Sequence, residues 1–111
     1  MPNMSRALGN IAEERACLYI LEHGFQIIER NFTLCGGEID IIAMKDEVLH
    51  FIEVKSGSSY DPLYNITPKK LQRVIDTAQR FMQKKNLDLC YQIDAISVQN
   101  ESCELIENIS I

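Results

Sequence analysis

The segment GGEIDIIAMKDEVLHFIEVKSGSS, residues 36–59, constrains this chain more than any other stretch of it. Its aliphatic residues fall into two runs, Glu38–Met44 and Val48–Ser56, divided only by Lys45-Asp46-Glu47. Runs of this length and composition read as strands, and so short a polar divider reads as a hairpin turn. Side chains alternate between the faces of a strand. Glu38, Asp40 and Ile42 are therefore expected on one face of the first run, with Ile39, Ile41 and Ala43 on the other. In the second run Glu53 and Lys55 share a face, and Ile52 and Val54 point oppositely. Pairing about residues 45–47 makes Asp40 and Glu53 near neighbours.

The flanking sequence supplies the rest of a domain. Residues 5–23 read as a helix with Ser5 as N-cap, an apolar series Leu8, Ile11, Ala12, Ala16, Tyr19 and Ile20, and Gly24 as its stop. Phe25–Leu34 reads as a strand that Cys35-Gly36-Gly37 joins to the hairpin. Residues 57–66 have the composition of a surface loop. Thr67-Pro68 then caps a helix whose stripe is Leu71, Val74, Ile75, Ala78, Phe81 and Met82. Two closing strands follow, Cys90–Val98 and Glu104–Ile111. The order is αβββαββ: one α/β domain over residues 1–111, a mixed sheet flanked by helices.

Composition narrows the class. A chain of 111 residues, 46% hydrophobic, suits one globular domain and is too apolar for disorder. No window approaches a membrane span, and the start lacks the apolar core of a signal peptide, so a cytoplasmic protein without a membrane partner is expected. Cys17, Cys35, Cys90 and Cys103 form no CxxC pair, and His23 and His50 complete no zinc pattern. Cys17 and Cys90 read as buried small hydrophobes. The histidines receive no functional role.

Two carboxylates side by side in an apolar sheet are costly unless something neutralises them. Their oxygens suit hard Mg²⁺ or Mn²⁺, which share coordination with water and substrate phosphate. Asp, then Glu-x-Lys, on adjoining strands is thus a sensible apparatus for phosphodiester hydrolysis, with Lys55 beside the attacking water. A half-exposed amphipathic hairpin also alternates charged and aliphatic residues, and Lys55 could merely pair with Glu53 or Asp40.

The GGEIDIIA…LHFIEVK pattern resembles the YraN-like bacterial proteins, predicted endonuclease-like members of the PD-(D/E)xK superfamily. LGNIAEERACLYILEHGFQIIERNF, TPKKLQRVIDTAQRFM and YQIDAISV extend the likeness over nearly the whole chain. The core is also similar to archaeal Holliday-junction resolvases. The resemblance implies a restriction-endonuclease-like three-layer α/β/α fold and a metal-dependent nuclease acting on DNA. It assigns Asp40, Glu53 and Glu13 to the metal and Lys55 to the attacking water; Glu38 and Lys70 fall at characteristic positions. Three positions depart from the pattern: Ala12 replaces a glycine, Gly57 an arginine, and Gln92 a frequent arginine before Asp94. The last two substitutions point to weaker substrate contacts.

The net charge of −5 hides a local arrangement. Over residues 66–90 six bases face two acids, whereas residues 91–111 hold four acids and no base. Lys69, Lys70 and Arg73, with the later bases of that helix, could track a phosphate backbone, or form ordinary helix pairs such as Arg73–Asp76. Tyr60 and Tyr64 could stack on a base or pack their loop. Two other classes stay open: a non-catalytic nucleic-acid-binding module retaining the fold, and a structural domain that assembles through a strand edge. A homodimer is compatible with the nuclease class.

Overall fold

Residues Met4–Glu22 form helix α1, and the glycine stop acts as expected. Gly24 takes φ 86°, which lets the Phe25 N–H reach back to the Ile20 carbonyl at 3.0 Å and close the last turn. The helix already includes Met4, so Ser5 lies inside it rather than capping it. Ala12, Ala16, Cys17 and Ile20 are its buried face; Ile11, counted in the apolar series, is half-exposed. The computed structural model describes residues 4–56 and 66–110, so Gly57, Tyr60, Tyr64 and most of their loop lie outside it.

Three antiparallel strands follow, β1 (Gln26–Leu34), β2 (Gly37–Lys45) and β3 (Val48–Ser56). Two-residue turns join them, Cys35-Gly36 and Asp46-Glu47, each with positive φ at both positions. That geometry matches the twist of the strands it connects. Helix α2 (Pro68–Lys84) starts as the sequence predicts, with the Thr67 hydroxyl accepting the Lys70 N–H at 3.1 Å. It leads to β4 (Cys90–Gln99), parallel to β3, and β5 (Ser102–Ile106), antiparallel to β4.

The sheet order is β1-β2-β3-β4-β5. One core cluster packs α1 on Ile41, Ala43, Ile52, Ile96 and Val98. The other packs α2 on Ile39, Ile42, Leu49, Phe51 and Ile93. A helix on each face of a mixed sheet is the three-layer α/β/α arrangement of the restriction-endonuclease-like fold. No helix among the described residues is long and apolar enough to cross a membrane.

Two expectations are corrected at the closing strands. β5 stops at Ile106 instead of continuing to residue 111, because the chain turns back over β4. There the Ile109 N–H bonds the Ile93 carbonyl and the Asn108 N–H bonds the Asp94 carboxylate. Cys90 is exposed at the start of β4, whereas Cys17 is buried as expected. An apolar neighbourhood in sequence does not bury a residue at a strand's first position.

Candidate functional site

The expected alternation holds along β3 and fails along β2, and the failure builds the site. Strand β2 pairs with β3 only from Lys45↔Val48 back to Ile41↔Ile52. Beyond that point it stays with β1 as far as Leu34↔Gly37 and parts from β3. Ile39 therefore packs in the α2 cluster with Ile42, while Ile41 packs in the α1 cluster, contrary to a shared face for Ile39 and Ile41. Asp40 sits at the parting. Its Oδ2 accepts the Val54 N–H at 2.8 Å, taking over a bond the ladder has given up.

The gap opens into a cavity of about 390 Å³ between the two helical layers. Asp40, Glu53 and Lys55 line it from the sheet, Glu13 from α1, and Lys70 and Arg73 from α2. Glu38 borders it as an exposed carboxylate near the Gly36-Gly37 turn. Lys69 is exposed and is not among the lining residues. The four residues read from the sequence as the chemical core thus meet in one place, drawn from α1, β2 and β3.

Their electrostatics are those of crowded acids away from water. Glu53 is only 6% exposed. Burial, and then the adjoining Asp40 charge, push its carboxyl up from 4.5 to about 8. Burial also raises Asp40, against the opposing pull of the Val54 N–H and Lys55. Glu13 is raised by burial and by Asp40. Lys55 is lowered, first by burial and then by the neighbouring Lys70.

Glu13 Oε1 and Glu53 Oε1 are buried without a hydrogen-bond partner, although buried acceptors ordinarily have one. Orphaned oxygens from converging carboxylates fit a hard divalent cation, which binds oxygen and neutralises their repulsion.

A second polar cluster was not legible in the sequence. His50 Nδ1 lies 2.5 Å from Asp94 Oδ2, with Asp94 fully buried and His50 5% exposed. Asp94 Oδ1 accepts the Asn108 N–H at 3.0 Å and Gln92 Nε2 at 2.8 Å. Gln92 also reaches Glu107 at 3.1 Å, and the Phe25 ring stands edge-on to His50. His50, Asp94 and Glu107 present potential ligand atoms within 4.8 Å of one another. Both Asp94 oxygens are already engaged, however, so the cluster holds the C-terminal segment to β4 without needing an ion. Gln92, where an arginine is frequent in the resembled pattern, serves this latch.

Arg30 was also missed. It donates to Glu14 at 2.7 Å, and its charge counters the rise in Glu13. The one hint was a base on the strand that follows α1.

The model of uncharacterised protein family UPF0102 matches residues 12–98, a span that contains Glu13, Asp40, Glu53 and Lys55. This chain belongs to UPF0102. A UPF0102 protein of Helicobacter hepaticus is 49% identical over 96% of this chain and 97% of its own length. One from a Sulfurovum species is 46% identical over the full length of both, and one from Wolinella succinogenes is 48% identical over 97% and 100%. The family is the one that the YraN-like resemblance pointed to, and these UPF0102 relatives match this chain over nearly their whole length.

Proposed function

We propose that the chain is a metal-dependent nuclease that hydrolyses DNA phosphodiester bonds, acting on branched or otherwise structured DNA. One observation carries this reading: three carboxylates and a lysine from three separate elements converge on one cavity, with two buried carboxylate oxygens left without partners. Asp40, Glu53 and Glu13 would hold Mg²⁺ or Mn²⁺, which when bound polarises a phosphoryl oxygen and acidifies water.

The remaining work falls to the chain's own residues. Asp40 is fixed by the Val54 N–H, so its free oxygen keeps one orientation. Lys55 Nζ, half-buried beside Glu53, orients the attacking water and stabilises developing negative charge. Lys70 and Arg73 at the rim receive the phosphate's negative charge.

The test is incubation of purified protein with linear, single-stranded and branched DNA in Mg²⁺ or Mn²⁺. Cleavage that disappears in Asp40→Ala and Lys55→Ala supports the reading. Cleavage unchanged in those variants removes the assigned site. Binding with no cleavage under any metal marks a non-catalytic nucleic-acid-binding module on the same fold.

A further inference from the structure

A second cavity, of about 290 Å³, adjoins the first and shares Gly36, Gly37 and Arg73 with it. It lies between the turn that joins β1 to β2 and one flank of α2, from which Arg73, Thr77, Arg80 and one carboxylate, Asp76, line it. The two surfaces are held close by an absent side chain. A Cβ on Gly37 would stand 1.9 Å from Thr77 Oγ1, so only glycine lets the turn approach the helix this closely.

Lys70, Arg73, Thr77 and Arg80 recur at three- and four-residue spacing and so follow one flank of α2. Arg73 and Arg80 are exposed and in no ion pair among the described residues. The alternative helix pair of Arg73 with Asp76 is not formed; Asp76 accepts Gln72 Nε2 at 3.0 Å. Two guanidinium groups are thereby left facing a trench that leads out of the acidic site.

We propose that this trench is a phosphate-binding subsite for one strand of DNA, with Arg73 and Arg80 gripping the backbone as it passes over the Gly36-Gly37 turn. The inference rests on the nuclease reading and gives the substrate a direction across the protein. Seven residues of helix separate the two arginines by about 10 Å along the axis, far enough apart to meet different phosphates of one strand. A single strand fits better than a duplex on charge grounds. The positive excess is confined to the α2 region, and residues 91–111 carry four acids and no base. Lys70, Arg73 and Arg80 make a single row of positive charge along α2, which matches one row of phosphates.

The experiment is fluorescence anisotropy with a labelled oligothymidine and a blunt duplex of equal length, in EDTA at several salt concentrations. Arg80→Gln is expected to weaken single-strand binding about fivefold and make the salt slope shallower by about one, with an unchanged melting temperature. Arg80→Lys should restore the slope, and Lys85→Gln, off the trench, should leave it alone. Wild-type affinity and slope in Arg80→Gln would overturn the subsite, as would failure of the wild type to bind the oligothymidine at low salt. Equal dependence on Arg80 for the blunt duplex would overturn the single-strand assignment. Arg80-dependent binding without cleavage in Mn²⁺ would keep the subsite and remove the catalytic reading. Asp40-dependent cleavage with no Arg80 effect would do the reverse.

Discussion

Glu53 and His50 stand three residues apart on β3 and are almost equally buried, at 6% and 5% exposed. Their surroundings differ in kind. His50 faces Asp94, whose second oxygen is bonded by Gln92 and Asn108, so the α1 side of the strand closes a satisfied polar network. Glu53 faces Asp40 across a parted ladder, with one of its oxygens orphaned and a cavity in front of it. Burial alone therefore does not distinguish a functional group from a structural one. The distinction is whether the neighbours satisfy the group or leave it waiting for a partner. Satisfied networks hold a fold together, whereas an unsatisfied buried group costs stability.

The sharpest way to break this contrast is Glu53→Gln. It should lower metal-dependent DNA cleavage about 1,000-fold, the scale of losing an acid–base or electrostatic group, while leaving the protein folded. Initial rates on the preferred DNA substrate measure it; a rate within a few-fold of wild type would move Glu53 to the structural class. Asp94→Ala should do the opposite. It strands His50 and the Asn108 N–H, costing about 3 kcal/mol in chemical denaturation, with cleavage per folded molecule unchanged.

The pH dependence separates the two clusters next. A carboxyl raised from 4.5 to about 8 in the folded protein contributes stability that is complete below about 4.5 and lost as pH rises through about 8. The metal-free protein should thus lose on the order of 2 kcal/mol across that window, less than an isolated Glu53 would give, because Asp40 shares the titration. Thermal melts at several pH values should show this slope in wild type, a flatter one in Glu53→Gln, and flattening by Mg²⁺ or Mn²⁺ only where Glu53 is present. The smallest effect is expected at Glu14→Gln. Glu14 itself is largely exposed, so loss of its pair with Arg30 should cost less than about 1 kcal/mol. A larger drop in denaturation midpoint would mean that Arg30 matters to the Glu13 side of the cavity more than its exposure suggests.

Much of the architecture was legible because local chemistry and tertiary structure agree. Thr67-Pro68 starts a helix, Gly24 ends one, and the alternation of Glu53, Val54 and Lys55 survives because β3 lies between two strands that keep it extended. The acidic core was legible for a related reason. A charged side chain inside an aliphatic strand has few places to go, and Asp40, Glu53 and Lys55 stand out against Ile, Val and Phe.

The sequence by itself determined the αβββαββ order, the acidic hairpin and the family. The tertiary structure decided that β2 leaves β3 at Asp40, that Glu13 reaches the same cavity from the opposite layer, and that Arg80 borders its extension. It also decided that β5 ends early and that His50 and Asp94 form the tail's latch. The physical reason is one of range. Turn chemistry and strand alternation act over a few neighbouring residues and leave a local mark. The parting of two strands, or the approach of Thr77 to Gly37, depends on what packs against them from elsewhere in the chain.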